Sequence, residues 1–268
     1  MPEYTAKDIR VAPVSAKDAN ALVQRVHYSG KVVPNSQLHF GVFLDNKLEG
    51  VMQFGPSMDK RKTITMVAGT AWNDFIELNR MAFSDRLPRN SESRAIGVAM
   101  RLIRQHYPHI EWVISFADGT QCGDGTIYRA SGFLLTGIRE NTTLVEFKDG
   151  TRIANMTLTA HWDTDAVAQL CKRLGAPVRA RSILEWRELG GKELPGFQLR
   201  YIYFLHASAR ERLTVPVIPF DQIQAKGAGM YRGKPVNRST RAKGQDAGNH
   251  PALGGSTPTR ALHSSGNV

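Results

Sequence analysis

The sequence predicts an α/β fold in which a mixed β-sheet is flanked by helices. Strand-like apolar runs alternate along the chain with segments of helical periodicity, which is the pattern of βαβα units. A hairpin pattern comes first and segments that suit right-handed crossovers follow, so both antiparallel and parallel neighbours are expected. With 268 residues, of which 41% are hydrophobic, the chain can bury a substantial core.

The first third of the chain predicts a helix, a hairpin and two more strands. Apolar spacing indicates a helix over residues 16–28, which Gly30 can end in a left-handed conformation. Residues 38–55 read as two strands joined at Asp45-Asn46-Lys47, a sequence that suits a short turn. Further strand patterns cover residues 63–67, where the signal is weaker, and residues 75–83.

The middle of the chain predicts a helix, a buried strand and a second helix. The apolar face of the first helix consists of Ile96, Met100, Ile103 and Tyr107. Pro108 ends this helix because proline cannot continue it. The apolar run at residues 110–117 is typical of a buried strand. A loop then leads into a short helix that ends at Gly132, and two strand patterns follow at residues 134–138 and 143–147.

The chain is predicted to consist of a core over residues 1–160, an α/β extension over residues 161–235 and a tail over residues 236–268. The extension contains a helical pattern and an alternating strand pattern at residues 197–206, and we expect it to pack on the same sheet. From Lys226 onward the chain carries seven basic residues against one acid and few large apolar side chains, which predicts a disordered basic arm. Such an arm can contact phosphates; a solubilising tail is the alternative.

Charge and apolar content limit the partners and the compartment. The net charge of +11 favours polyanionic partners such as nucleic acid. No run reaches the roughly eighteen apolar residues that cross a bilayer, and the N-terminus lacks a signal-peptide pattern, so we expect a cytoplasmic protein without a membrane partner. Two cysteines, Cys122 and Cys171, are interpreted as free thiols.

An acid and a tyrosine stand on either side of the loop after the buried strand. Asp118 lies at the carboxyl end of that strand, where open α/β sheets build their sites. Tyr128 begins the following helix and would point back toward the same end. The ordinary alternatives are a turn aspartate before glycine and a tyrosine that only packs.

A second candidate site is the helix start around residues 86–94. Asn90 or Ser91 can cap this helix, and Arg86, Arg89 and Arg94 surround its start. The unpaired N–H groups and positive dipole of a helix N-terminus suit a pyrophosphate, to which arginines add bidentate contacts. No Walker or Rossmann glycine pattern occurs, so neither a nucleoside triphosphate nor NAD is predicted. The alternative is a capped surface helix with solvated arginines.

The order of elements in the middle of the chain resembles the GNAT acetyltransferase superfamily. This order is a strand, the phosphate-binding helix start at residues 86–94 (called here the phosphate cradle), a second strand and a helix carrying "IYRASGF". The resemblance implies a sheet that splays between two strands to admit acyl-CoA. It also implies that Tyr128, shortly before Gly132-Phe133, protonates the CoA thiolate. We therefore expect Asp118 and Tyr128 to face a common cleft where the sheet parts.

Five stretches of the sequence together resemble the Mom family of Mu-like phages. They are "VHYSGK", "ELNRMAFSD", "PRNSESRAIG", "SFADG" and "GTIYRASGF". This resemblance implies an enzyme that converts the N6 amino group of adenine in double-stranded DNA to a carbamoylmethylamino group and so protects phage DNA from restriction. The implied catalytic residues are His27, Tyr28, Asp118 and Tyr128. The cofactor contacts expected for acetyl-CoA or a related acyl-CoA are Arg80, Met81, Arg89, Asn90, Ser91, Ser93 and Arg94.

The product of this family joins nitrogen to a methylene carbon, which simple acetyl transfer does not give. Iron is implied, with His27, Tyr28 and Asp118 as nitrogen and oxygen ligands. The adenine must also be flipped out of the duplex, and Tyr28, Trp72 and Phe83 are candidates for stacking on it. Two other functions stay open: a conventional GNAT N-acetyltransferase acting on a protein or small-molecule amine, and a non-catalytic DNA-binding protein.

Overall fold

The computed structural model describes residues 4–27, 29–120, 123–231 and 234–235. The strands of its main sheet are Arg10–Pro13 (β1), Leu38–Leu44 (β2), Lys47–Gly55 (β3), Phe75–Phe83 (β4), Trp112–Asp118 (β5), Leu134–Asn141 (β6) and Gly196–Phe204 (β10). The other strands are Leu144–Glu146 (β7), Arg152–Ala154 (β8), Lys192–Glu193 (β9), Met230–Tyr231 (β11) and Lys234–Pro235 (β12).

The main sheet is mixed, with the strand order β1-β2-β3-β4-β5-β10-β6. Strands β4 and β5 run parallel, and the other neighbouring pairs in this sheet are antiparallel. The hairpin β2–β3 turns at Asp45 and Asn46, which both have positive φ, as a tight two-residue turn requires. The predicted α/β class with a mixed sheet is confirmed. The predicted basic tail, residues 236–268, lies outside the described residues.

Helices cover both faces of this sheet. They are Ala16–Val26 (α1), Lys60–Ile64 (α2), Ser91–His106 (α3), Thr126–Ala130 (α4), Asn155–Ala160 (α5), Asp165–Leu174 (α6), Ile183–Glu188 (α7), Ala207–Glu211 (α8) and Gln222–Ala225 (α9). Side chains alternate between the faces of a strand, so the hydrophobic clusters show which helix covers which face. Ile96 and Ile103 of α3 pack with Phe54 and Tyr201 on one face, called here the α3 face. Leu22 and Val23 of α1 pack with Val51 and Ala82 on the other, called the α1 face.

The sheet parts between its two parallel strands. β4 and β5 pair only at Phe75–Trp112, Ile76–Val113 and Glu77–Ile114. Just beyond, the Ser115 hydroxyl donates to the Leu78 carbonyl at 2.9 Å. From there β4 pairs only with β3 and β5 only with β10 among the described residues, which leaves an opening between them. The splayed sheet implied by the resemblance is present.

The segment between β6 and β10 builds a small unit with its own core. Strands β8-β7-β9 form a three-stranded sheet, and α5, α6 and α7 pack around it. The fully buried Trp186 lies in this core, and its indole N–H donates to the Leu158 carbonyl at 3.2 Å. The predicted boundaries at residues 160 and 235 stay predictions. Strand β10, which lies within the predicted extension, is itself a central strand of the main sheet.

Two local predictions need correction, and one strand was not predicted. Residues 63–67 are not a strand, because Asp59 caps helix α2 by accepting from the Lys62 N–H at 3.3 Å, and only Val67 makes an isolated β-bridge. Tyr107 follows the last residue of α3 and is 39% exposed, so the buried face of α3 ends at Ile103. Strand β1 was not predicted, because its four residues show no clear alternation.

Candidate active site at the parted strands

His27 ends helix α1 on the α1 face. Its backbone N–H donates to the Val23 carbonyl at 2.9 Å, and its Nδ1 lies 2.8 Å from the Ser29 hydroxyl. The Ser29 backbone N–H also donates to Nδ1, at 3.2 Å. Burial, with the nearby Arg80 charge, lowers the pKa of His27 to about 4, so the ring is neutral near pH 7. Because Nδ1 accepts from a backbone N–H, the neutral ring carries its proton on Nε2.

Arg80 stands on β4 beside the opening and is fixed by backbone carbonyls. Its Nε donates to the Lys31 carbonyl and its Nη1 to the Asn79 carbonyl, both at 3.0 Å. The Lys31 ammonium in turn donates to the Thr157 hydroxyl of α5 at 2.6 Å. The segment after α1, strand β4 and the inserted unit therefore meet at this point. Sequence reasoning missed Lys31 and Thr157, since nothing local connects positions 126 residues apart.

Asp118 is the last residue of β5, as predicted. One carboxylate oxygen accepts from the Thr120 N–H at 2.9 Å and the other from the Thr143 hydroxyl at 3.2 Å. Strand alternation places its side chain on the α1 face, like that of Phe116 and unlike that of Ala117. The carboxylate is thus held in a fixed orientation by its own loop and by the start of the inserted unit.

Tyr128 lies in the short helix α4 and packs on the α3 face. Its ring centroid is 5.3 Å from that of Phe133 and 5.2 Å from that of Tyr201. The Tyr201 hydroxyl donates to the Asp124 carbonyl at 2.5 Å and so fixes the loop before α4. Gly125 is required there, because its φ is +78° and an added Cβ would lie 2.5 Å from the Tyr201 ring. Sequence reasoning missed Tyr201, which comes from the distant strand β10.

Asp118 and Tyr128 therefore lie on different faces of the sheet. On the α1 face lie His27, Arg80 and Asp118; Tyr128 and the start of α3 lie on the other. The sheet is parted between β4 and β5, so this opening is where groups from the two faces can approach one another. The expectation that Asp118 and Tyr128 face one common cleft is therefore wrong in its simple form, because their side chains lie on opposite faces of the sheet.

The predicted phosphate cradle is a helix start with a left-handed cap. Asn90 occupies the N-cap position with φ of +67° and without a side-chain capping bond. The buried Ser91 donates its hydroxyl to the Pro88 carbonyl at 2.6 Å, and Ser93 donates to the Asn90 carbonyl at 3.2 Å. Both hydroxyls therefore stabilise the loop itself.

The charged residues of the cradle have different surroundings. Arg86 pairs with Glu49 at 2.9 Å and is directed to the hairpin. Arg89 and Asn90 line a surface cavity together with residues 4–7. Hydrogen bonds from the Thr5 backbone and side chain lower the pKa of Asp8, and the charge of Arg94 lowers it further. Met81 packs against the core of the α3 face. The cofactor contacts predicted for these residues stay predictions.

The described residues give no support for the predicted iron site, which stays a prediction. No three His, Cys, Asp or Glu side chains in the described ranges lie together as a metal group. Binding of iron through Nε2 of His27 would need the ring proton on Nδ1, where the Ser29 N–H already donates. Tyr28, the third predicted ligand and a predicted catalytic and stacking residue, lies outside the described residues.

Three other predicted residues can be located. Trp72 is 53% exposed and lies before β4, at the end where β4 and β5 are paired, so it is remote from the opening. Phe83 packs against the core of the α3 face. Cys171 is a buried free thiol, as predicted, whereas Cys122 lies outside the described residues. None of the helices in the described ranges has the length and hydropathy of a membrane span.

The mixed sheet parts between β4 and β5, and polar side chains lie beside the opening, an arrangement that suits the active site of a transferase. The chain matches the Mom protein family over residues 8–222. It is also 37% identical over 212 residues to methylcarbamoylase mom of Escherichia phage Mu, an alignment that covers 78% of this chain and 81% of that protein. The protein belongs to the Mom protein family, as the sequence resemblance predicted.

Solved acetyltransferases share a more distant likeness. The ribosomal-protein-S18-alanine N-acetyltransferase from Escherichia coli is 10% identical, with a TM-score of 0.39, over 74% of this chain and 94% of that one. A GNAT family acetyltransferase from Brucella melitensis in complex with acetyl-CoA is 17% identical, with a TM-score of 0.34, over 47% of this chain and 82% of that one.

Proposed function

We propose that this protein is a phage DNA-modification enzyme that converts the N6 amino group of adenine to a carbamoylmethylamino group in the host cytoplasm. Membership of the Mom family and the 37% identity to a methylcarbamoylase support this reaction. The observation that carries the proposal is the opening between β4 and β5, with candidate residues on both of its faces. The net charge of +11 fits a DNA substrate.

The α1 face takes the adenine. The N6 lone pair is delocalised into the ring, so this amine is a poor nucleophile and needs a base. Asp118 accepts the N6 proton, and hydrogen bonds from Thr120 and Thr143 hold the carboxylate in position while it does so. His27 is neutral and offers its Nε2 proton as a hydrogen-bond donor. A paired adenine cannot reach these groups, so the base is flipped out of the duplex.

The α3 face takes an acyl-CoA. The start of α3 binds the pyrophosphate through backbone N–H groups, and Arg89 and Arg94 add charge beside it. When bound, an acyl-CoA would supply the two-carbon unit of the product, and its thiolate would leave as the amide nitrogen of the carbamoyl group, from an ammonia-equivalent donor, replaces sulfur on the carbonyl carbon. Tyr128 would donate its phenolic proton to that thiolate, and the packing of its ring against Phe133 and Tyr201 keeps the phenol oriented.

Mass spectrometry of nucleosides from DNA co-expressed with the protein tests this function. The wild-type protein should yield deoxyadenosine with the mass of a carbamoylmethyl addition. Asp118→Asn and Tyr128→Phe should each reduce it by roughly 100-fold or more, the size expected for general acid–base groups. Tyr107→Phe, at an exposed tyrosine, is the matched control and should modify DNA normally.

The same experiment separates the two other functions. An acetyl adduct on a protein or small-molecule amine, without modified deoxyadenosine, would indicate a conventional acetyltransferase. DNA binding without any modified base would indicate a non-catalytic DNA-binding protein. Full activity in both Asp118→Asn and Tyr128→Phe would contradict the assigned roles while leaving the reaction itself in place.

A further inference from the structure

Three neighbouring strands place a row of polar side chains beside the opening. In the strand register, Asp118 of β5 lies opposite Gln198 of β10, and Gln198 lies opposite Arg139 of β6. Residues directly opposite on antiparallel strands project from the same face, with Cβ atoms about 5 Å apart. Leu199 packs in the core of the α3 face, so the preceding Gln198 projects from the α1 face, as Asp118 does.

This part of the α1 face is accessible. Gln198 and Arg139 are both exposed. Helix α1 packs over β3 and β4, and a separate cluster that includes Trp112 and Ile202 covers the end where β4 and β5 are paired. An exposed glutamine on a sheet usually only meets water. Gln198 differs because its register partner is the carboxylate assigned as the base of the reaction.

Arginines make the surface around Gln198 positive. Arg200, the next residue but one along β10, projects from the same face and lies over Gly137, where an added Cβ would be 3.3 Å from the Arg200 Cζ. Its Nε donates to the Thr136 hydroxyl at 3.0 Å and its Nη2 to the Thr136 carbonyl at 2.6 Å, so its guanidinium is fixed. With the exposed Arg139 beside it, this surface complements the charge of a phosphate.

We propose that Gln198 selects adenine as the substrate base. Its amide oxygen accepts from the N6 amino group and its amide nitrogen donates to N1, while Arg139 contacts a phosphate of the same strand. This rests on the proposed function, in which Asp118 takes the other N6 proton; Cβ atoms about 5 Å apart let both side chains reach one amino group.

The amide also rejects guanine. Guanine presents an O6 acceptor and an N1–H donor in place of the N6 donor and N1 acceptor of adenine. Each of these groups would meet a group of its own kind on the Gln198 amide. Polar groups left unpaired in a binding site cost free energy, which is why a site built on hydrogen bonds discriminates strongly. The phosphate contact of Arg139 carries no such information.

Binding of two labelled duplexes to the full-length protein tests this role. They carry adenine or guanine opposite an abasic site, so the base is already unpaired and easily flipped. The wild-type protein should bind the adenine duplex about tenfold more tightly, the size expected for a bidentate base contact. Gln198→Met keeps the side-chain length without the amide and should lose this preference. Gln105→Met, at an exposed glutamine on α3, is the matched control and should keep it.

The phosphate contact is tested separately with the same duplexes at several salt concentrations. Arg139→Ala should weaken the binding of both duplexes severalfold and reduce the slope of log affinity against log salt by about one. Arg101→Ala, at an exposed arginine on α3, should change neither. An unchanged slope in Arg139→Ala would contradict the phosphate contact.

An adenine preference that survives in Gln198→Met would overturn the inference even if the protein modifies adenine. So would a wild-type protein that binds both duplexes equally. If the preference depends on Gln198 but no modified deoxyadenosine forms in cells, the proposed reaction fails while the base contact stands. Thermal unfolding of each variant confirms that the fold is kept.

Discussion

At the residue scale, His27 links the ionisation of the site to the stability of the fold. Burial lowers its pKa to about 4, whereas in the unfolded chain it should titrate near its ordinary value of 6.5. Between these values the unfolded state binds more protons, so the free energy of unfolding falls as the pH drops from about 6.5 to 4. Above about pH 6.5 the His27 ring is neutral in both the folded and the unfolded state, so it no longer changes the free energy of unfolding.

We expect His27→Asn to flatten this dependence. The wild-type protein should lose at most about 1.4 kcal/mol per pH unit from His27 across this window, and the variant should lose less. Urea unfolding at pH 4.5 and pH 7 measures the difference. His109→Asn, at an exposed histidine, is the control and should behave as the wild type. An unchanged pH dependence in His27→Asn would contradict a buried neutral ring.

Single residues were predictable where their signal was local. Asp118 ends its strand as expected, because an apolar run that stops at an acid before glycine marks a strand end. The partners of Asp118 and Tyr128 were not predictable, since Thr143 and Tyr201 come from elements that only the folded chain brings near. The tautomer of His27 likewise depends on Ser29, whose N–H points at Nδ1 only because the helix ends there.

At the element scale, strong local signals specified the hairpin, β4 and α3. These elements have clear periodicity and clear ends: the hairpin turns at Asp45 and Asn46, and Pro108 stops α3. Helix α2 was mistaken for a strand, because five residues show no reliable period and the Asp59 cap decides the outcome. In a long segment the apolar periodicity tells a helix from a strand. In a short segment the periodicity is too weak, and the capping residue decides.

Two glycines in neighbouring helical elements should respond in opposite ways to alanine. Gly97 lies within α3, and an added Cβ meets nothing within 4 Å, so Gly97→Ala should stabilise the protein by about 0.5–1 kcal/mol. Gly125 has positive φ and lies against Tyr201, so Gly125→Ala should destabilise it by at least about 1 kcal/mol. Thermal unfolding of both variants measures the two shifts. Stabilisation by Gly125→Ala would contradict the close contact with Tyr201.

At the scale of the whole molecule, the sheet is completed by a strand from late in the chain. β10 pairs with β5 on one side and β6 on the other, after the inserted unit has intervened. The sequence predicted β10 as a strand, but its position between β5 and β6 could not be predicted, because no local signal encodes which edges it joins. The strand that keeps β5 in place therefore also positions Asp118, whose register partner is Gln198.

Two truncations separate the role of β10 from that of the tail. A chain that ends at residue 195 lacks β10, whose Leu199, Tyr201 and Ile202 are fully buried, so we expect it to show no cooperative thermal unfolding. A chain that ends at residue 235 keeps the sheet and should retain the melting temperature of the full protein. It loses four basic residues and one acid, so its DNA affinity should fall and the salt slope should decrease by up to about three. Unchanged affinity would mean that the tail only aids solubility and that the α1 face alone binds the duplex.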